Sequence, residues 1–361
     1  MHHTFHRLGT ALVLFPAILY VALIACATEA VGAADTVAPA PHVALILPLS
    51  SPSFGRHADA VRQGFVAAAK VAGRNTPPIR VYPVNEDTPN VLTVYEQAVE
   101  SGARLVVGPL TRNGVAALAA SSLVTVPTLA LNTLEPRSAQ PARMYLFGLS
   151  VELEARQIAQ LAFKDGRRNA FVIGDDTALS IRMRQAFVEE FARLGGMVVA
   201  EFNYSADQGI LTKLRSAVNL GVTDLTFLAL NSEHAATVRP YLGTATALYA
   251  TSQVNAGKGA AGARELDKVR FVDMPWLLQL DHPAVMIYPR PQFNDAIDFD
   301  RLYGLGIDAF RIGLELLRRN DDPVLDGVTG RIRLTREQQF VRELTAAQFV
   351  DGKTVVLGES R

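Results

Sequence analysis

The chain has 361 residues, and its 35 Lys plus Arg balance 35 Asp plus Glu, so the formal net charge is zero. That balance removes the electrostatic case for a nucleic-acid or anionic-membrane binder. With 49% apolar and 19% charged residues the body is globular and not disordered, and the length allows two ordinary domains.

The N-terminus opens with the weakly basic "MHHTFHRLGT" and continues with the apolar run "ALVLFPAILYVALIAC", which stops at Cys26, the one cysteine of the chain. The run is short for a membrane span, which needs about 20 apolar residues, and Pro16 interrupts it. It has the layout of a secretory signal. Leu23-Ile24-Ala25-Cys26 resembles a bacterial lipobox, in which the cysteine sulfur is lipidated and becomes the mature N-terminus. Ordinary cleavage after Ala33 or Ala34 is the alternative and would discard Cys26. Ala27 follows the cysteine where inner-membrane retention would use aspartate, so by resemblance to Gram-negative lipoproteins the expected address is the periplasmic face of the outer membrane. The expected segments are thus a lipoprotein signal over residues 1–26 and a flexible Ala- and Pro-rich tether over residues 27–41.

From His42 the pattern becomes strand–helix alternation. "HVALILPL" reads as a strand buried on both faces. The turn "SSPSFGR" leads to a helix with Ala58, Val61, Phe65, Ala68 and Ala72 on one face and Gly73 as its stop. "IRVYPV", "ARLVVGPL", "VPTLALN" and "MYLFGLS" are further strands, the first three separated by amphipathic helices. A second series starts at Ser150, with strands "NAFVIGDD", "MVVAEFNY", "DLTFLAL" and "ALYATS". The tail supplies the strand-like "VRFVDMPWLL", the long helix "DFDRLYGLGIDAFRIGLELLRR" and two segments, "LDGVTGRIRLT" and "AAQFVDGKTVVL", that read as closing hairpins or edge strands. The expected fold class is α/β, with two doubly wound parallel-sheet lobes and ligands, if any, at the carboxyl ends of the strands.

No catalytic constellation emerges. The histidines are scattered, and the sequence holds no GxSxG, HExxH or phosphate-loop pattern. Asp175-Asp176 ends a strand and could bind a cation, although a pair of solvated loop acids is the commoner arrangement. The chain is therefore expected not to be an enzyme and to need no cofactor or metal. Ser50, Ser51 and Ser53 lie between the first strand and the first helix. They could present hydroxyls and helix N–H groups to an anion, or simply cap the helix and make the turn. Thr111 sits at the equivalent corner after "VGP", and Asn132 and Thr133 end the fourth strand. Met274, Pro275 and Trp276, in "DMPWLL", form either core or a partner-docking anchor, since Trp is enriched at interface hot spots.

"VALILPLS", "AVRQGFVAA", "LVVGPL", "VPTLALN", "FGLS", "LYATS", "VRFVDMPWLL" and "LYGLGIDAFR", in that order, resemble the penicillin-binding-protein activator family, the LppC/LpoA-type lipoproteins. "DMPWLL" with "YATS" is the more specific part. The resemblance implies the type I periplasmic-binding-protein fold, two lobes joined by three crossing segments. It places residues 42–149 with about 254–325 in one lobe and 150–253 with about 326–361 in the other. It implies a lipoprotein that activates a bifunctional penicillin-binding protein, a peptidoglycan synthase, by direct contact. The alternative is a solute-binding lipoprotein for an amino acid or a peptidoglycan-derived fragment. In amino-acid-binding relatives of the fold the Ser50–Ser53 region helps hold a ligand carboxylate. Some family members carry a helical-repeat domain ahead of this body, and nothing of that kind is expected between Cys26 and His42.

Overall fold

The computed structural model describes residues 39–135, 138–205, 207–218, 223–243, 246–257, 262–293, 297–320 and 322–358. Cys26 and the expected signal lie outside them. The first apolar run forms β1 (His42–Leu47), buried at all six residues, as a strand covered on both faces requires. β2 (Ile79–Pro83), β3 (Ala103–Val107), β4 (Thr128–Ala130) and β5 (Met144–Phe147) follow. The helices Gly55–Ala72, Thr88–Glu100 and Arg112–Ala120 connect the first of them. Ala58, Val61, Phe65 and Ala68 are buried as the helical spacing predicts, but Ala72 is exposed because the helix is already ending at Gly73.

The second series repeats the scheme with β6 (Asn169–Gly174), β7 (Met197–Asn203), β8 (Leu225–Ala229), β9 (Ala247–Ala250) and β10 (Val269–Asp273). The helices Val151–Lys164, Ala178–Arg193, Gln208–Val218 and Ser232–Val238 accompany them. Hairpins then finish both sheets: β11 (Val324–Gly327) with β12 (Gly330–Leu334), and β14 (Thr345–Val350) with β15 (Lys353–Val356), while β13 (Gln339–Glu343) lies between the two pairs in sequence.

One sheet has the order β11-β12-β13-β5-β4-β3-β1-β2 and the other β15-β14-β10-β9-β8-β6-β7. In each, the strands of the doubly wound part run parallel and the hairpin strands are antiparallel additions. The strand order reverses between β1 and β3 in the first lobe and between β6 and β8 in the second, which creates a switch-point crevice at the carboxyl ends of those strands.

The chain passes between the lobes three times: from Phe147 to Val151, from Asp273 to Ile297, and from Glu343 to Thr345 through the single buried residue Leu344. Sheet membership differs from the expected segments at two places. β10 continues the second sheet beside β9, although it falls in the 254–325 segment expected in the first lobe. Residues from 326 onward were expected in the second lobe, yet β11, β12 and β13 extend the first sheet from the open edge of β5. The change of sheet at Leu344 carries no glycine, proline or polar turn to mark it. "VRFVDMPWLL" is likewise not one strand, because Pro275 opens a short helical turn over Pro275–Leu278.

A single apolar cluster runs through the crossing region. It includes Val43, Leu105, Phe310 and Phe340 of the first lobe, Phe187 and Phe227 of the second, and Trp276 and Leu344 between them.

Candidate functional site

Each switch point is built from residues that follow a parallel strand. In the first lobe Gly108 takes φ +112°, and a Cβ there would lie 2.0 Å from the Ile46 carbonyl oxygen, so only glycine lets the chain leave β3 this close to β1. Thr111 then caps the helix Arg112–Ala120, its side-chain oxygen accepting from the Gly114 N–H at 3.2 Å. Asn132 ties the corner after β4 to the corner after β3 by donating to the Leu110 carbonyl at 2.9 Å, and its own Oδ1 accepts from the Thr133 N–H at 2.9 Å.

Ser51 is 5% exposed. Its hydroxyl donates to Glu86 Oε1 and accepts from the Phe54 N–H, so it performs the turn and capping role weighed for it. Ser50 and Ser53 are exposed on the same loop. The structure thus gathers Ser50, Ser51, Ser53, Thr111, Asn132 and Thr133 along one carboxyl edge, with Ser51, Thr111 and Asn132 engaged by the protein itself.

The second lobe's switch point carries a cluster that sequence spacing concealed. Asp175 follows β6 and is 7% exposed. Its Oδ1 accepts from both the N–H and the hydroxyl of Thr177 at 3.0 and 2.6 Å, and its Oδ2 meets His234 Nδ1 at 2.9 Å. Tyr204 packs against the imidazole with ring centroids 4.9 Å apart. Asp176 goes elsewhere and accepts from Asn203 Nδ2 at 2.8 Å. The two adjacent acids therefore do not act as a pair. Among the described residues, no group of three or more His, Cys, Asp or Glu could hold a metal ion.

Burial by itself would raise the Asp175 carboxyl, but the Thr177 and His234 bonds outweigh it and hold the group below its ordinary value. A depressed folded-state value contributes stability above the unfolded value, and that contribution is lost as pH falls through the folded one. Denaturant unfolding along an acid series should therefore show a flatter acid limb for Asp175→Asn than for the parent chain. An unchanged slope below about pH 4 would contradict this account of the carboxylate.

The carboxyl edges of the two lobes meet through Arg112, at the start of the helix after β3. Its guanidinium reaches Glu135 and Glu152 at 3.1 Å each, and Glu152 also receives Arg182 of the second lobe at 3.2 Å. Burial pushes Glu152 upward, but the Ser150 hydroxyl, its own N–H, Arg182 and Arg112 together bring it below the usual carboxylate range.

Beneath the cleft lies a buried charged network at the crossing segments. Arg301, on the helix Ile297–Arg318, donates through Nη2 to the carbonyls of Ser252 and Asn255 at 2.9 and 3.2 Å and to Asp273 Oδ2 at 2.9 Å. Asn255 Nδ2 shares that same carboxylate oxygen at 2.9 Å. Burial works against the guanidinium charge, but Asp273, Asp298 and Glu154 outweigh it and keep Arg301 firmly protonated. Glu154 accepts from the Ser252 N–H at 3.2 Å and faces Arg342 of β13 at 3.7 Å. There desolvation exceeds the attraction, so Glu154 is raised and Arg342 lowered. Asp308, fully buried, accepts from the Val328 and Thr329 N–H groups and the Thr329 hydroxyl at 3.2, 2.7 and 2.7 Å.

Met274 is 2% exposed and Trp276 0% exposed, with Pro275 buried between them. The Trp276 ring lies under the Arg290 guanidinium at 4.1 Å and 5.3 Å from the Tyr303 ring. These three residues fill the crossing region and present no surface to a partner, which corrects the docking-anchor expectation. The reason is positional: the segment leaves β10 directly into the space between the lobes. The network residues Arg301, Asp273 and Glu154 were missed because they are far apart in sequence. The one available signal was an arginine and several acids on the otherwise buried face of an apolar helix.

Two lobes, three crossings and a switch-point cleft define a type I periplasmic-binding-protein-like body. The chain belongs to the family described as "LppC putative lipoprotein", which matches residues 34–221 and 208–352. "Penicillin-binding protein activator LpoA" of Pantoea ananatis is 28% identical over 324 residues, covering 77% of this chain and 47% of that protein. The protein of the same name from Photobacterium profundum is 26% identical, covering 88% of this chain and 57% of its own length. The chain therefore spans about half the length of the curated relatives it matches.

Among solved structures, a "putative branched-chain amino acid ABC transporter" from Chromobacterium violaceum is 38% identical with a TM-score of 0.74, covering 86% of this chain and 99% of that one. The "LpoA (YraM) C-domain from Haemophilus influenzae, a regulator of PBP1A" superposes with a TM-score of 0.74 at 23% identity, covering 88% of this chain and 100% of that domain, a likeness of fold. Among the described residues no helix is long and apolar enough to cross a membrane.

Proposed function

We propose that this chain is an envelope lipoprotein, tethered through Cys26 to the periplasmic face of the outer membrane, that activates a bifunctional penicillin-binding protein by direct contact. The observation that carries the reading is the match of most of the chain to relatives named as penicillin-binding-protein activators. The self-satisfied switch point of the first lobe is in keeping with it. Ser51, Thr111 and Asn132 spend their polar groups on the turns that hold them, which suits a scaffold better than a solute trap.

The full chain, purified in detergent and mixed with the cognate synthase, should raise glycan polymerisation or peptide cross-linking. No rate change together with no complex at micromolar concentration would refute the reading.

The solute-binding alternative is favoured by one arrangement. Asp175 presets His234 beside Tyr204 at the second lobe's switch point, where binding proteins of this architecture place ligand contacts. On that reading an amino acid or muropeptide fragment at a hundred times its dissociation constant would stabilise the chain by about 2.7 kcal/mol. A flat melting screen eliminates it.

A further inference from the structure

Away from the cleft, a groove of about 880 Å³ runs along the crossing face, between the helix Val151–Lys164 and the strands β13 and β14. Both lobes contribute to it: Arg333 and Val341 from the first, Arg156, Lys164 and Arg270 from the second, with Leu344 where the chain changes sheet. Six cations line it against three acids, in a chain whose overall charge is zero. Three of those cations are already matched. Arg193 pairs with Glu190 at 2.6 Å, Arg270 with Asp165 at 2.6 Å, and Arg342 faces the buried Glu154. The excess falls on Lys164, Arg333 and Arg156. Among the described residues Lys164 and Arg333 have no ion-pair partner, and Arg156 reaches Glu189 only at 3.9 Å. Against them stands a single unmatched acid, Glu343.

These three cations come from two elements. Lys164 ends a helix, Arg156 lies two turns back along it, and Arg333 stands on β12. Eight residues of one helix, about 12 Å of rise, separate Arg156 from Lys164, so these two do not converge on a single anion. Converged cations would suit one phosphate or one carboxylate, whereas cations spaced along a trough suit a chain carrying several carboxylates in sequence. Leu153, Leu161, Val341 and Leu344 in the same lining offer apolar contact between the charges. Mixed apolar contact with spaced cations is what a peptide presents a use for, through side-chain stems as well as acidic heads.

The geometry points to this groove as a docking site for an extended, acidic peptide segment of a partner protein, separate from the interlobe cleft. Because the groove is made from both lobes, a bound segment would touch both without using any switch-point residue. The site stands whether or not the partner is a peptidoglycan synthase.

The test is fluorescence anisotropy with the full chain in detergent, using a labelled short polyglutamate peptide and a polyglutamine peptide of equal length. Polyglutamate should bind, more weakly as salt rises, and polyglutamine should not. The double variant Lys164→Glu/Arg333→Glu should bind polyglutamate about tenfold more weakly. Lys164→Gln/Arg333→Gln should lose less, and Arg80→Glu, on the exposed β2 at the far edge of the first sheet, should bind like the parent. Matching melting curves would establish that each variant is folded. Equal binding of the two peptides, or full binding by the double reversal, would overturn the proposal. So would displacement by citrate at matched carboxylate concentration, which would reassign the groove to a small polycarboxylate.

Discussion

Gly306→Ala should leave little folded chain at physiological temperature, the largest loss expected from so small a substitution. The helices Gly55–Ala72 and Ile297–Arg318 cross with their backbones touching. A Cβ on Gly306 would lie 2.0 Å from the Val61 carbonyl oxygen and 2.8 Å from the Phe65 nitrogen. The contact is reciprocal, since a Cβ on Gly64 would lie 1.9 Å from the Tyr303 carbonyl oxygen. Neither obstacle is a side chain that can swing away. Overpacking a core ordinarily costs about 1–3 kcal/mol, and here the relief must come from separating two helices, so the cost should exceed that range. A domain of this kind is stable by only about 5–15 kcal/mol. The added helix propensity of alanine, up to about 1 kcal/mol, is too small to compensate. Yield of soluble protein and the urea midpoint would measure the effect, and a midpoint within error of the parent would show that the helices can part cheaply.

Arg301→Met is the second severe case, for an electrostatic reason. Removing the guanidinium leaves Asp273, 1% exposed, with Asn255 and the Met274 N–H as its remaining donors, and strips the Ser252 and Asn255 carbonyls of their side-chain partner. Breaking a buried pair on one side typically costs about 3–5 kcal/mol. Methionine refills much of the volume, so the loss reports charge and hydrogen bonding and not a cavity. The double variant Arg301→Met/Asp273→Asn should recover part of that loss because the stranded charge is gone. The urea midpoints of the two single variants and the double variant form the measurement. Strict additivity would mean that Arg301 and Asp273 are not coupled. Arg301 lies on a helix packed in the first lobe, and its acceptors lie at the second lobe's strand ends, so the variant should also loosen the angle between lobes, visible as a change in small-angle scattering.

Much of the architecture was legible because the parallel strands advertise themselves. "HVALILPL" and "NAFVIGDD" are apolar runs of strand length, each followed by helix-start chemistry, and they became β1 and β6 at the places expected. The fully buried strand has no alternation to confuse with a helix, and doubly wound topology follows from the alternation itself. The boundaries between lobes were not legible. A crossing made of Leu344 alone has no linker composition, and β11 to β13, starting at Val324, join a sheet begun at His42.

The site was legible only as a set of corners. Thr111 could be recognised as a residue before a helix, and it caps that helix. Whether its hydroxyl is free was decided by one hydrogen bond across three residues. The pairing of Asp175 with His234 spans 59 positions, and nothing local marks either residue. Trp276 shows the converse: its composition allows core or interface, and the path of the chain between the lobes decided for core.

What the amino-acid sequence determined alone was local in origin: where strands and helices form, that they alternate, and that the body is two parallel-sheet lobes. Burial periodicity and turn chemistry act over a few residues and can be read residue by residue. What only the tertiary structure decided was which charges meet, which polar groups remain free, and where the chain changes lobe. Those outcomes depend on contacts between segments distant in sequence, from Arg301 with Asp273 to Glu154 with Arg342, and their energies exist only once the intervening chain has been folded away from water.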